Sequence, residues 1–214
     1  MANTGYHIPG TIVEQDYAGG VRPWANESDA ASSNNAYATS AGLRNPGISE
    51  WLKCTNFSMG VPAGATIDGI IVRIERKASA GGANLDEIVQ LVKGGSFVGN
   101  NKATATFYTT SDVVVYYGGA SDKWGTTWSV AQVNASDFGI GFVTDMDSQT
   151  TTYVDMINII VYYTPAAVGT DMKINVGGVW KDVAEVKVNV SGVWKNVTEA
   201  WINVAGVWKQ VFGP

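Results

Sequence analysis

Apolar and polar residues alternate with a period of two through the middle of the chain, and no helical period of useful length occurs. The clearest example is residues 66–77, where positions 68, 70, 72, 74 and 76 form one set and the positions between them form the other. Successive side chains of a β-strand point to opposite faces, so this pattern predicts a strand. Val-Pro-Ala-Gly at 61–64 predicts the turn before it.

Short β-rich runs broken by Gly, Pro, Asn and Asp continue from residue 35 to residue 164. We expect eight or nine strands, among them residues 35–39, 50–55, 66–77, 87–93, 97–100, 113–117, 138–144 and 153–163. This count predicts an all-β fold, a jelly-roll-like antiparallel β-sandwich. Residues 1–34 predict an irregular N-terminal arm or strap, and the small uncharged residues 165–170 predict a linker.

Residues 171–214 contain three copies of one unit, whose asparagines recur every 14 residues at Asn175, Asn189 and Asn203. Each copy has a β-branched run, a two-residue break ending in glycine, and a second run that begins Val-Trp-Lys. The pattern predicts a small module of three β-hairpin repeats. Because Ala205 would resist a positive φ, we expect a type I turn with a glycine bulge, or a type II turn, rather than type I′.

Pairing of Val176 with Val179 would place Asn175 opposite Trp180, so that Trp180, Trp194 and Trp208 lie on one face of their hairpins. A lone hairpin is marginal in water, and the copies must therefore bury apolar faces on each other or on another chain. One interpretation makes the tryptophans the core or trimer seam of a β-prism or meander. The other makes them an exposed row, with the lysines, for sugars or a protein partner.

Composition and charge narrow the possible partners. The chain is 45% hydrophobic, which permits a core, but only 15% charged, which is typical of a protein in an assembly or one that touches neutral ligands. With a net charge of −5 and no basic stripe, we expect no nucleic-acid partner. The N-terminus lacks a signal-peptide pattern and no apolar run is long enough to span a bilayer, so we expect synthesis in a cytoplasm and no membrane insertion.

Candidate catalytic and metal-binding residues are few. The chain has one cysteine, Cys54, and one histidine, His7, too few for an internal disulfide or a Cys/His zinc site. We expect Cys54 to be buried and inert, and a Ser-His-Asp triad would depend on His7 in an irregular segment. No cofactor is predicted.

Several carboxylates are candidates for a glycosidase pair or for calcium ligands. The pairs are Asp86 with Glu87, or members of the set Asp145, Asp147 and Asp155. All lie near predicted loop tips or strand ends, where solvated acids are common, so we expect no catalytic residue. Asp145 and Asp147 resemble the start of a calcium loop, but Thr150 and Met156 stand where its glycine and glutamate belong, which leaves a weak metal candidate.

Aromatic residues give the stronger functional signal. Tyr116, Tyr117, Trp124 and Trp128 surround a glycine-rich stretch at 118–123, and Trp24 lies in the N-terminal segment. Exposed aromatic faces with a few polar groups hold neutral sugars, and the five residues are therefore candidate ligand or partner contacts. The alternative is that Trp124 and Trp128 close the end of the sandwich as core residues.

The blocks at 21–26, 35–39, 51–57, 67–76 and 124–128 resemble a β-sandwich domain of tailed-phage structural proteins and some bacterial surface proteins. The Asn-Val-x-Gly-Val-Trp-Lys hairpins resemble repeats that close phage tail and virion accessory proteins. The resemblance implies a non-enzymatic virion protein, either a capsid decoration protein or a tail accessory or fibre component. It also implies other virion proteins as partners and a homo-oligomer such as a trimer. The alternative is a carbohydrate-binding module for host-surface or extracellular glycans.

Overall fold

The computed structural model describes residues 1–166, 173–182, 186–197 and 199–212, without the side chains of 173–175, 180–182 and 211–212. The chain divides into two compact units, Met1–Pro165 and Ala166–Pro214. The expected linker at 165–170 begins at this boundary, and residues 167–170 lie outside the described residues.

The regular secondary structure of the first unit consists almost entirely of strands. They are β1 (Ala2–Asn3), β2 (Thr11–Gln15), β3 (Gly20–Arg22), β4 (Trp24–Ala25), β5 (Ala38–Ala41), β6 (Gly47–Ser49), β7 (Trp51–Thr55), β8 (Thr66–Ala78), β9 (Asn84–Lys93), β10 (Ser96–Val98), β11 (Val113–Gly119), β12 (Gly139–Met146) and β13 (Thr151–Thr164). A 3-10 helix at Glu27–Ala30 and α1 (Val130–Val133), which starts with a capping box at Ser129, are short connections.

The strands form two sheets. Sheet A has the order β11-β8-β13-β5-β4, with β1 also paired to β13. Sheet B has the order β10-β9-β12-β6-β3, with β7 paired to both β12 and β2. All these pairs are antiparallel except β3 with β6. The predicted all-β, jelly-roll-like antiparallel sandwich is confirmed.

The core lies between the inner faces of the two sheets. Strand β8 alternates as its sequence predicts, with Ile70, Val72 and Ile74 fully buried and the residues between them partly exposed. Strand β12 is buried on both faces over most of its length, and β7 beside it contributes Cys54. Burial in this apolar core raises the pKa of the Cys54 thiol, which agrees with the expectation of an unreactive cysteine.

The first 34 residues do not form the irregular arm that the sequence suggested. Strands β1 and β4 join sheet A, and β2 and β3 join sheet B. Trp24 is buried in the core, and its indole Nε1 donates a hydrogen bond to the carbonyl of Glu50 at 2.7 Å. Because these strands have only two to five residues, they are too short to show an alternating pattern.

The second unit contains three hairpins. Their strands are β14 (Lys173–Val176) with β15 (Val179–Asp182), β16 (Lys187–Val190) with β17 (Val193–Asn196), and β18 (Ala200–Val204) with β19 (Val207–Phe212). The register is as predicted, since Val176 pairs with Val179 and Asn175 with Trp180, and the other two hairpins repeat it. Each hairpin forms a separate two-stranded sheet.

The expected turn type is wrong. Both central residues have positive φ in every copy, at Gly177 and Gly178, at Ser191 and Gly192, and at Ala205 and Gly206. This is the type I′ geometry, whose twist matches that of strands joined by two residues. The turn geometry that the paired strands require therefore outweighs the conformational cost of a positive φ at Ala205. The side-chain oxygens of Asn189 and Asn203 accept the N–H of the second turn glycine at 2.9 Å, which explains the repeated asparagine.

Ala205→Gly is expected to stabilise the third hairpin by about 1 kcal/mol, because it relieves the left-handed conformation of an L-residue. The folded fraction of β18 and β19, measured from backbone NMR chemical shifts, should rise. Ala200→Gly is the matched control, since Ala200 lies in β18 without a positive φ and glycine there should lower the folded fraction. Equal effects of the two substitutions would contradict the turn assignment.

Candidate functional site

Three of the five aromatic candidates are core residues. Trp24, Tyr117 and Trp124 are buried, so the hypothesis that they contact a ligand is wrong. Trp128 is half-buried against the edge of the Phe138 ring, and its indole donates to the carbonyl of Lys123 at 3.1 Å. Only Tyr116 of the five has a largely exposed side chain, at 58%.

Trp124 is held by the glycine-rich loop around it. Its indole Nε1 donates to the carbonyl of Ile70 at 2.9 Å, and its own φ is positive at 59°. A Cβ on Gly118 would lie 2.5 Å from that Nε1, so glycine is required for this approach. Burial raises the pKa of Asp122, but the hydrogen bonds from Lys102 and from the Trp124 N–H outweigh it and lower the pKa. The loop therefore serves to seat a core residue.

Asp86 is a buried structural carboxylate, not the solvated acid that its sequence position suggested. Its oxygens lie 3.0 and 3.1 Å from Nη2 of Arg76, and they accept hydrogen bonds from the hydroxyls of Tyr108 at 2.8 Å and Tyr117 at 2.9 Å. Thr104 donates both its N–H and its hydroxyl to the same group. Burial and the Asp86 charge raise the pKa of both tyrosines, so that they stay protonated and donate.

The glycosidase pairs do not assemble in the structure. Asp86 and Glu87 are consecutive residues of β9 and point to opposite faces of sheet B. Asp155 is buried, and its two oxygens accept the backbone N–H groups of Asn34 and Asn35, each at 3.0 Å. It therefore fixes the N-terminal segment to β13.

The weak calcium candidates gain no third ligand. Asp147 is exposed, and its Oδ1 accepts the N–H of Ser148 at 2.7 Å. Asp145 is half-buried near the end of β12. Across residues 1–166 and the described parts of the hairpins, no three His, Cys, Asp or Glu side chains are grouped so that they could hold a metal ion.

An aromatic and cationic patch lies on the outer face of sheet A. Tyr116 on β11, Arg73 on β8 and Asn158 on β13 are in register across three neighbouring strands. The guanidinium of Arg73 stacks on the Tyr6 ring at 4.1 Å from its centroid, and its Nε donates to Oδ1 of Asn158 at 3.1 Å. We call Tyr6, Arg73, Tyr116 and Asn158 the outer-face patch.

The N-terminal segment positions Tyr6 over this patch. His7 exchanges backbone hydrogen bonds with Ile159 of β13, which carries the preceding residue across the sheet surface. Tyr6 is 42% exposed. Burial raises its pKa, while Arg73 lowers it and the nearby Tyr116 and Tyr162 raise it. Sequence analysis identified Tyr116 but missed Tyr6 and Arg73, because only the pairing of the N-terminus with β13 brings them together.

The hairpins expose side chains on both faces. Trp194 and Trp208 are 66% and 65% exposed, and Trp201 is also exposed. On the opposite faces the exposed aliphatic residues are Val188, Val190, Val193, Ile202, Val204 and Val207. The interpretation that the tryptophans form a core within one chain does not hold for Trp194 and Trp208, and the side chain of Trp180 lies outside the described residues. Trp194 and Trp208 could be buried only if another surface packed against their hairpins.

Comparisons with known proteins give no family. No family model matches the chain, and no curated protein matches it. A solved structure described as "CBM4 structure and function" is 11% identical with a TM-score of 0.36, over 72% of this chain and 93% of that one. The CBM22-1 xylan-binding domain from Paenibacillus barcinonensis Xyn10C is 12% identical with a TM-score of 0.38, over 77% and 97%. Similarity at this level carries no argument about function.

Among the described residues, no helix has the length and apolar character to cross a membrane.

Asp86→Asn is expected to destabilise the sandwich by about 3 to 5 kcal/mol, because it leaves the buried Arg76 guanidinium without a counter-ion. Urea unfolding followed by tryptophan fluorescence measures the change. Asp112→Asn is the matched control, since Asp112 forms a partly exposed ion pair with Lys77 at 3.1 Å and should cost no more than about 1 kcal/mol. Similar losses for the two variants would show that the buried pair has no special role.

Proposed function

We propose that this protein is a non-enzymatic structural protein of a larger particle, and that the particle is the virion of a tailed phage. The observation that carries the proposal is the exposure of both faces of the C-terminal hairpins. Contiguous exposed apolar surface marks interaction sites in soluble proteins, and isolated two-stranded hairpins are marginal in water. Hairpins of this kind gain stability when another chain covers them.

The chemistry of the sandwich supports a structural role. Two of the acids that could have formed catalytic pairs serve instead as acceptors for the protein's own groups, Asp86 for Arg76 and Asp155 for two backbone amides. A carboxylate with its lone pairs committed in this way is poorly placed to transfer protons to a substrate.

The choice of a virion rests on the resemblance of the sandwich blocks and the hairpin repeats to phage structural proteins. The protein would decorate the capsid or form an accessory or fibre part of the tail, with other virion proteins as partners. The sandwich would be the anchored part. The hairpins would be the outward part, and in a homo-oligomer such as a trimer they would cover each other's apolar faces.

Gold-antibody labelling of phage particles by electron microscopy is expected to place the protein on heads or on tails. Deletion of residues 171–214 should leave attachment intact, because the sandwich anchors the protein, and should reduce the purified protein from an oligomer to a monomer in analytical ultracentrifugation. Tyr116→Ala is the control for the second measurement, since Tyr116 is exposed on the sandwich and should not affect association. Unlabelled particles would exclude a place for the protein on the virion. Loss of attachment in the deletion variant would show that the hairpins, and not the sandwich, anchor the protein.

The second candidate function is binding of carbohydrate, and the outer-face patch favours it. Two tyrosine rings and a guanidinium lie on one surface, and the buried amide of Asn158 beneath them accepts a hydrogen bond from the guanidinium and positions it. Aromatic rings stack on the apolar faces of sugars, while a guanidinium donates hydrogen bonds to their hydroxyls. A host-surface or extracellular glycan would be the ligand, and such binding is compatible with a place on a virion.

Tyr116→Ala is expected to weaken glycan binding about fivefold, in keeping with the roughly 1 kcal/mol contributed by an exposed aromatic contact. Binding on a glycan array identifies the ligand, and titration of that glycan gives the loss. The melting temperature should not change, because the side chain is 58% exposed. Val113→Ala, on the same strand and also exposed, is the matched control and should bind normally. Unchanged binding by the Tyr116 variant would exclude the patch.

A further inference from the structure

A cavity lies at the end of the sandwich where the chain crosses three times between the sheets. The crossings are β3 to β4, β5 to β6 and β12 to β13. The cavity is a wide, open depression with a volume of about 680 Å³, lined by the buried Arg22, by Gly42 and by the exposed residues Leu43, Arg44, Asn45 and Gln149. It shares no residue with the outer-face patch, and sequence analysis assigned it no role.

Arg22 is a buried cation without a counter-ion. Its side chain and backbone are only 8% exposed, and none of the ion pairs among the described residues includes it. The guanidinium donates from Nη2 to the carbonyl of Asn45 at 2.8 Å and, from Nη1 at 3.4 Å, to that of Val21, while its buried Nε faces Gly47 and has no partner among the described residues. Burial of an uncompensated charge is costly, so an anion beside Arg22 would be strongly favoured.

The nearby carboxylates are committed elsewhere. Glu50, whose N–H donates to the carbonyl of Arg22, uses its own carboxylate to accept the N–H of Tyr17. The carboxylate of Glu14 accepts the N–H of Trp24. Asp147, in the loop that approaches Gly42, accepts from Ser148 and lines a different depression. Among the residues that the structure describes, no acidic side chain lines the cavity itself.

A second guanidinium adds to the positive charge. Arg44 lines the same cavity from the β5 to β6 loop, beside the amide of Gln149 and the exposed side chain of Leu43. The chain as a whole has a net charge of −5, whereas the charged residues among those that line this depression are both cations. Two guanidiniums with amides and one apolar group suit a small ligand that carries both an anion and neutral polar groups.

We infer that this cavity binds the carboxylate of a small acidic ligand, of the class of uronic acid sugars. A carboxylate can accept a charge-assisted hydrogen bond from Nη1 of Arg22, whose bond to Val21 is long, and from the guanidinium of Arg44, and the buried position of Arg22 strengthens the first of these bonds. The amides of Asn45 and Gln149 provide partners for hydroxyl groups on the same molecule.

The experiment is an NMR titration of the full chain, labelled with ¹⁵N, using glucuronate, glucose and inorganic phosphate. Glucuronate is expected to shift the backbone amides of 42–45 and 149, and glucose is expected to leave them unshifted. Arg44→Gln should weaken glucuronate binding about tenfold, the loss expected for one charged hydrogen bond of roughly 1.5 kcal/mol. Arg44 makes no ion pair among the described residues, so the variant is expected to fold.

Lys123→Gln, which removes an exposed cation outside both the cavity and the outer-face patch, is the matched control and should bind glucuronate normally. Failure of glucuronate to shift these amides would overturn the inference, as would an equal response to glucose. A response to phosphate alone would overturn the assignment of a carboxylate. Unchanged affinity in the Arg44 variant would show that the cavity is not the site.

Discussion

The buried ion pair between Arg76 and Asp86 is the interaction on which the sandwich most depends. Arg76 lies on β8 of sheet A and Asp86 on β9 of sheet B, so the pair joins the inner faces of the two sheets. Tyr117 from β11 and two residues of the connection between β10 and β11 donate to the same carboxylate. An irregular connection is thereby fixed at one point to both sheets.

A buried pair of this kind is weak evidence for stability, because desolvation opposes the attraction between the charges. Here the ion pair determines which packing arrangement of the two sheets forms. An apolar core accepts many packings of similar energy, whereas Asp86 satisfies its lone pairs only when four elements meet in one geometry. The Arg76 guanidinium also stacks on the Tyr108 ring at 3.7 Å, which fixes that side chain as well. The pair thus specifies how the two sheets align.

The sequence predicts the long strands and the hairpins but not the inward direction of Asp86. In β9 the apolar residues Leu85, Val89 and Leu91 predict one face, which places Asp86 on the other. The pairing with β12 contains a bulge, however, because Val143 pairs with Ile88 and Thr144 with Asp86. One extra residue reverses the alternation, and a bulge has no clear signature in residue pattern. The outer-face patch and the end cavity depend on distant pairings in the same way, and local sequence cannot show them.

The type I′ turns allow the number of hairpins to vary. Each turn lies within one repeat, as do the stabilising asparagines Asn189 and Asn203, and the strand pairing of a hairpin uses only residues of that repeat. Gain or loss of a 14-residue copy would therefore leave the register of every other hairpin unchanged. In the sandwich, by contrast, a similar insertion would shift strands that pair across the whole unit. Selection can lengthen or shorten the C-terminal unit in single steps while the sandwich remains the same.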